Sequence, residues 1–266
     1  MLGKKLVGTI AVLALTAMVP VAAAQDGPGP VEGPEIPNVP QVEVCEDRVA
    51  TIVGDENGNV LVGQPGVDDV IVGLGGNDLI IGRSGNDTIC AGDGDDRVLG
   101  GGGDDTVQGG IGDDIIHAGR GADKVHSGPD DDVVRGQGGD DTFLHADSGN
   151  DRVVGGAGQD DLFGGTGEDR LFGGGGVDIM HGGTDNDRLA AGPGNDSLLG
   201  DSGNDVLRAG TGDDVRVYGQ DGDDRLDGGP GLDDDCQGAP DADGDGVPDI
   251  GADGVVDVDQ LRRCEP

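Results

Sequence analysis

Residues 73–108 read GLGGNDLII, GRSGNDTIC, AGDGDDRVL and GGGGDDTVQ, four blocks of nine that begin at Gly73, Gly82, Ala91 and Gly100. Each fits the form G-G-x-G-x-D-x-U-x, where U is apolar, and the pattern runs from about Gly54 to the block GGPGLDDDC at Gly228. A fixed short period signals a solenoid, because one such unit cannot bury an apolar face alone and must stack on its neighbours. The first six positions have to turn, and the last three can form a short strand. Gly76, Gly85, Gly94, Gly103 and Gly112 hold the fourth position, where a backbone with positive φ is expected. Asp130 and Asp185 replace Gly there, and Asp enters the left-handed region more readily than most residues. One extra residue enters the repeat near Val72, His145 and Tyr218, as single insertions at turns do.

The strand triplet alternates out, in, out. Its inward row runs Ile80, Ile89, Val98, Val107, Ile116, Val125, Val134, Phe143, Val153, Leu162, Leu171, Met180, Leu189, Leu198 and Leu207. One apolar residue in nine makes a thin core. Ordering a backbone costs about 1–2 kcal/mol per residue, so something besides this row must hold the coil.

Two nonapeptides, one strand on each face, make a coil of eighteen residues, and the sixth-position carboxylates then fall into two columns. One begins Asp78, Asp96, Asp114 and Asp132, and the other begins Asp87, Asp105, Asp123 and Asp141. The sixth position continues as Asp151, Asp160, Asp169, Asp178, Asp187, Asp196, Asp205, Asp214 and Asp224. Stacked strands lie about 4.8 Å apart, and Ca²⁺ binds oxygen at about 2.3–2.6 Å. An ion between stacked loops is therefore expected to reach carboxylates of both, with turn carbonyls completing its shell. The charge agrees: 54 acidic against 16 basic side chains leave a formal −38, which on the order of fifteen Ca²⁺ would largely offset. Folding and calcium binding are expected to be one event. Asn59 in the first poor repeat, Arg216 beside the Tyr218 insertion and Asp235 in the last block break the pattern.

The tandem G-x-G-x-D blocks resemble the hemolysin-type, or RTX, calcium-binding repeat over roughly two-thirds of the chain. The resemblance implies an all-β fold, a right-handed parallel β-roll with short capping segments, and Ca²⁺ as its ligand. Two features depart from typical RTX exporters: a cleavable N-terminal signal and four cysteines. In the tail, DADGDGVPDIGAD resembles the calcium loops of EF-hand and thrombospondin type 3 repeats, which would make ligands of Asp241, Asp243, Asp245 and Asp249. Ala252 stands where an EF-hand has its bidentate Glu.

The domain organisation follows. Lys4 and Lys5, an apolar run from Leu6 and the small residues Ala22–Ala24 read as a signal peptide over 1–24, hence a secreted, extracellular protein. Residues 25–45 are a Pro-rich linker, 46–236 the β-roll and 237–266 an acidic cap. No segment beyond the signal is long and apolar enough to span a membrane. Cys90 and Cys236 are separated by about eight coils, roughly 38 Å of stack, which favours the pairs Cys45–Cys90 and Cys236–Cys264, one at each end. The acidic charge argues against nucleic acid as a partner.

No H-E-x-x-H or G-x-S-x-G motif is present, so no catalytic residue is assigned and the chain is expected not to be an enzyme. The expected role is an extracellular structural or interaction module. A polysaccharide-modifying or other hydrolytic enzyme on the β-roll face is the alternative, and an ice-binding face has only the short row Thr166, Thr184 and Ser202 behind it. The four His are read as unclustered surface, with His145 inside an insertion. Arg152, Arg170 and Arg188 should stack as a basic ladder, and Phe163, His181 and Leu199 as an apolar column. Either could meet a cell-surface polysaccharide or another extracellular protein.

Overall fold

A computed structural model of the chain describes residues 44–230 and the backbone of 236–237. The expected signal peptide, most of the linker, the Asp241–Asp249 loop and the Cys236–Cys264 pair lie outside the described residues.

Among the described residues every regular element is a strand. Two parallel sheets of ten and eleven strands face each other, and successive strands alternate between them. Leu79–Ser84, Arg97–Gly102 and Ile115–Arg120 neighbour one another in one sheet, and Val70–Gly75, Thr88–Asp93 and Thr106–Ile111 in the other. Register partners such as Ile80 and Val98, or Ile89 and Val107, are eighteen residues apart. That is the β-roll read from the period.

The strands are longer than the expected triplet. From Val70–Gly75 to Arg216–Asp221 they run six residues, from the seventh position through the third of the next repeat. The backbone ladder continues along those positions because most of the residues there are Gly and accept the unusual dihedrals, Gly101 (φ 121°) stacked between Arg83 and Gly119 being one case. The fourth-position reading holds: Gly94 has φ 130°, Asp130 83° and Asp185 78°.

The eighth-position row is buried from Leu61 to Val217, and a second inward row accompanies it. The first position lies two residues further on and so faces the same way. Ala91, Ala118, Ser127, Ala146, Ala191 and Ala209 fill it where Gly does not, all at most 1% exposed. Composition concealed this half of the core, since small residues look like turn residues.

Two positions in the inward row need correction. Leu144, not Phe143, is fully buried, and Val217 continues the row where Arg216 was expected to interrupt it. The cause is where the extra residues sit. Thr142 and Val215 precede their strands, which start at Phe143 and Arg216, so the register resumes with Leu144 against Val125 and Val217 against Leu198. The first insertion likewise falls in the turn ahead of Asp69, leaving Ile71 inward opposite Ile89. Extra residues are absorbed where no ladder bond has to break.

At the N-terminal end Val44–Cys45 pairs antiparallel with Arg48–Val49. The expected disulfide joins Cys45 to Cys90, with Cα atoms 5.9 Å apart. Arg48 Nη1 donates to the Thr88 hydroxyl at 2.5 Å, which with the disulfide ties this hairpin to the coil holding Thr88 and Cys90.

Candidate metal centre

The sixth-position residue sits where the turn ends and the strand begins, so its backbone is fixed by the ladder. Its carbonyl accepts the N–H of the seventh residue one coil on, as Asp78 does from Arg97 at 2.8 Å. Its own N–H donates to a carboxylate oxygen of the next coil. Asp78, Asp96, Asp114, Asp132, Asp151, Asp169, Asp187, Asp205 and Asp224 form one such chain, each N–H meeting the following Oδ1 at 2.7–2.9 Å. Asp69, Asp87, Asp105, Asp123, Asp141, Asp160, Asp178, Asp196 and Asp214 form the other at 2.8–3.0 Å. The structure thus brings every repeat Asp expected as a ligand into two unbroken columns. From Asp78 to Asp214 these residues are at most 3% exposed, while Asp224 at the far end is half-buried.

The second oxygen is the anomaly. Oδ2 of Asp78, Asp87, Asp96, Asp105, Asp114, Asp123, Asp132, Asp141, Asp151, Asp160, Asp169, Asp178, Asp187, Asp196, Asp205 and Asp224 is buried with no hydrogen-bond partner. At Asp132 the neighbouring Ser127 hydroxyl gives its single proton to the Ala146 carbonyl at 3.0 Å. A buried acceptor without a donor is costly, and an ionised one far more so. Rows of them in one fold call for a shared cation.

The space beside these oxygens is lined by more oxygen. A methyl carbon placed on Gly82 would fall 2.5 Å from Asp87 Oδ2 and 2.6 Å from the Gly100 carbonyl; on Gly164 it would fall 2.4 Å from Asp169 Oδ2 and 2.5 Å from the Gly182 carbonyl. Carboxylate and next-coil carbonyl converge on one small volume. A hard divalent ion takes such an all-oxygen set, and a site without nitrogen or sulfur does not favour a softer metal.

The ladder's protonation follows from this geometry. Burial pushes Asp114, Asp151 and Asp187 up to about 8, Asp105, Asp141 and Asp196 to about 7, and Asp96, Asp123, Asp132, Asp160, Asp169 and Asp205 to about 6. The ladder N–H bond opposes the rise, and neighbouring carboxylates add to it. Without a cation the fold asks Asp114, Asp151 and Asp187 to hold protons at neutral pH and leaves the rest to ionise against burial and one another.

Asp69 heads its column and was missed in the sequence, because the turn insertion hides its register. The available signal was the apolar triplet Val70-Ile71-Val72 directly after it. Its oxygens are satisfied by protein: Oδ1 accepts the Thr51 hydroxyl at 3.1 Å and Oδ2 the Gln64 N–H at 2.6 Å. Asn59, heading the other column, accepts the Asp55 N–H at 2.7 Å and donates its amide to Asp55 Oδ1 at 3.2 Å.

A further ladder escaped the sequence reading. Fifth-position Asn and Asp side chains accept the fifth-position N–H one coil further on, as Asn86 does from Asp104 at 3.0 Å and Asp113 from Asp131 at 3.1 Å. On the outer faces, Arg152, Arg170 and Arg188 stack in register and are exposed, with Arg152 over the Phe172 ring at 4.4 Å.

The expectation that the His are unclustered is overturned. Because the extra residue is Thr142, His145 takes the ninth position and pairs in register with His126 and Phe163, followed by His181 and Leu199.

A family model for the RTX calcium-binding nonapeptide repeat matches overlapping segments from 53–89 to 213–234, together spanning residues 53–234. No curated protein matches the chain.

Proposed function

The chain belongs to the RTX calcium-binding nonapeptide repeat family, and from that premise we propose that it is a secreted protein whose β-roll folds as Ca²⁺ fills its two aspartate columns. The observation that carries this reading is the row of buried, partnerless Asp Oδ2 atoms, which at Asp78, Asp87, Asp105, Asp114, Asp141, Asp160, Asp169, Asp178, Asp187 and Asp205 share a small volume with a carbonyl of the next coil. Asp78 to Asp224 would hold the ions with turn carbonyls. The ions would supply positive charge that offsets stacked carboxylates and fixes each turn to the next. The unfolded chain offers no such stack, so binding and folding would share one free energy.

The N-terminal segment 1–24, read as a signal, would put the role outside the cell, where calcium is plentiful. There the calcium-held roll would act as a structural or interaction module, and the tail loop at Asp241, Asp243, Asp245 and Asp249 would add a separate calcium site. The test is far-UV circular dichroism of residues 25–266 with disulfides intact, titrated with Ca²⁺ and then EGTA. A cooperative coil-to-β transition, reversed by EGTA and not reproduced by Mg²⁺, is expected. A spectrum indifferent to calcium would remove the aspartate columns as ligands.

A further inference from the structure

We propose that His126, His145 and Asp147 form a transition-metal site on the outer face of the eleven-stranded sheet, separate from the calcium columns. The ligand atoms of these three residues all lie within 4.8 Å of one another. His126 Nδ1 is 3.6 Å from Asp147 Oδ2, and His145 Nδ1 abuts Asp147 Oδ1. His145 Nδ1 is enclosed, yet its approach to Asp147 has no hydrogen-bond geometry. Two imidazoles and a carboxylate that converge this closely are placed to share a cation.

The solenoid builds this cluster from three coincidences of register. Outward ninth positions of adjacent coils stack directly, which sets His145 over His126. Asp147 lies two residues beyond His145 and so returns to the same face. It occupies a position that is usually Gly, with φ 70°, a strain that Asp bears more easily than bulkier residues. Gly128 and Gly165 are the second-position residues of the coils on either side, so no side chain from those coils crowds the carboxylate. Phe143 stacks on the His145 ring at 5.3 Å and Phe163 lies 5.6 Å away, walling one side. On the open side His126 borders a shallow hollow with Gln108, Ile111 and Pro129, so water and an ion have access.

Two imidazoles and one carboxylate suit Zn²⁺ or a neighbouring late divalent ion, whereas Ca²⁺ takes oxygen alone. Ligand atoms around zinc stand roughly 3–4 Å apart at bond lengths of about 2.0–2.2 Å, which rotation of these partly exposed side chains can reach. Three protein ligands leave a coordination position open.

The molecule carries its own control. His181 approaches Asp201 in the same relation, at 3.3 Å. There Leu199 stands where a second imidazole would be, and Gln220 already donates to Asp201.

Zinc binding to the calcium-saturated full-length protein, followed by calorimetry with excess Ca²⁺ holding the columns, tests the proposal. One Zn²⁺ per chain is expected. His126→Ala and His145→Ala should each weaken it at least about tenfold, and His181→Ala should leave it unchanged. Co²⁺ absorption should report nitrogen ligation in the wild type and lose it in both His variants. Because the side chains point outward, circular dichroism in calcium should match wild type. No zinc bound by the wild type, equal binding in the two His variants, or an equal loss in His181→Ala would each overturn the site. The calcium reading is independent, since it concerns other residues and is read out without zinc.

Discussion

Asp69 and Asp87 occupy the same position in successive coils of one column, bonded by the Asp69 N–H to Asp87 Oδ1 at 2.8 Å, yet their carboxylates live differently. Asp69 is saturated by Thr51 and Gln64. Asp87 keeps a buried oxygen that no protein donor reaches. In the other column Asn59 replaces the charge with an amide that closes on Asp55, whose carboxyl is held below its usual range by hydrogen bonds from Asn57 and, less, from Asn59. The first coil solves its electrostatics with hydrogen bonds, and every coil after it leaves them open. A stack of identical rungs needs an end that does not ask for another rung, and terminal repeats in solenoids are atypical for that reason.

The broadest way to test this contrast is pH in the absence of calcium. The interior carboxylates are raised in the fold from 3.8 to about 6–8. Between about pH 4 and pH 8 the metal-free fold therefore binds more protons than the unfolded chain. The stability from this source is fully present below about pH 4 and is lost as pH rises through 6–8. Chelated protein should gain β structure on acidification to pH 4 and lose it by pH 8, while the calcium midpoint moves to higher concentration as pH falls. A chelated spectrum that is flat from pH 4 to 8 would show that the interior does not carry this charge problem.

A pair of single changes sharpens the comparison. Asp141→Asn, in mid-column, should remove about one calcium ion and the roughly 3 kcal/mol that a ligand at a hundredfold its Kd contributes. Asp69→Asn should leave calcium stoichiometry intact and act only through its hydrogen bonds, at about 1 kcal/mol. Calcium counting by competition with a chromophoric chelator, beside thermal melts at fixed calcium, separates them. Equal calcium loss in both variants would erase the distinction between cap and interior.

The last test concerns the staple at the N-terminal end. Cys45→Ala with Cys90→Ala opens a loop of sequence separation 45, which should cost roughly 2–4 kcal/mol. If the cap stands apart from the calcium-dependent interior, the slope of the calcium transition should persist and only its midpoint shift. A lost or much broadened transition would mean that the hairpin at 44–49 nucleates the whole roll.

Much of this was legible in the residues themselves. The period gave coil length and sheet pairing, because a side chain recurring every eighteen residues on one face has one stacking solution. The fourth-position Asp130 and Asp185 revealed their backbone, since φ is a local property. The repeat Asp columns were readable for the same reason. Insertions were not: the sequence shows that a residue is extra but not which one, and assigning the bulge to His145 instead of Thr142 misplaced Phe143, Leu144 and the His cluster together. The same ambiguity concealed Asp69 and made Arg216 look like a break.

The sequence by itself determined the repeat, the solenoid and the acidic columns, because these follow from periodicity and from the chemistry of Asp and Gly. Only the tertiary structure decided which residue each turn extrudes, which carboxylates find protein donors, and which outward side chains meet across coils. Those outcomes rest on register between segments eighteen or nineteen residues apart. One residue of slip reverses every side chain of a strand, and the ladder bonds on both sides of a turn select the register that keeps Leu144 and Val217 inside.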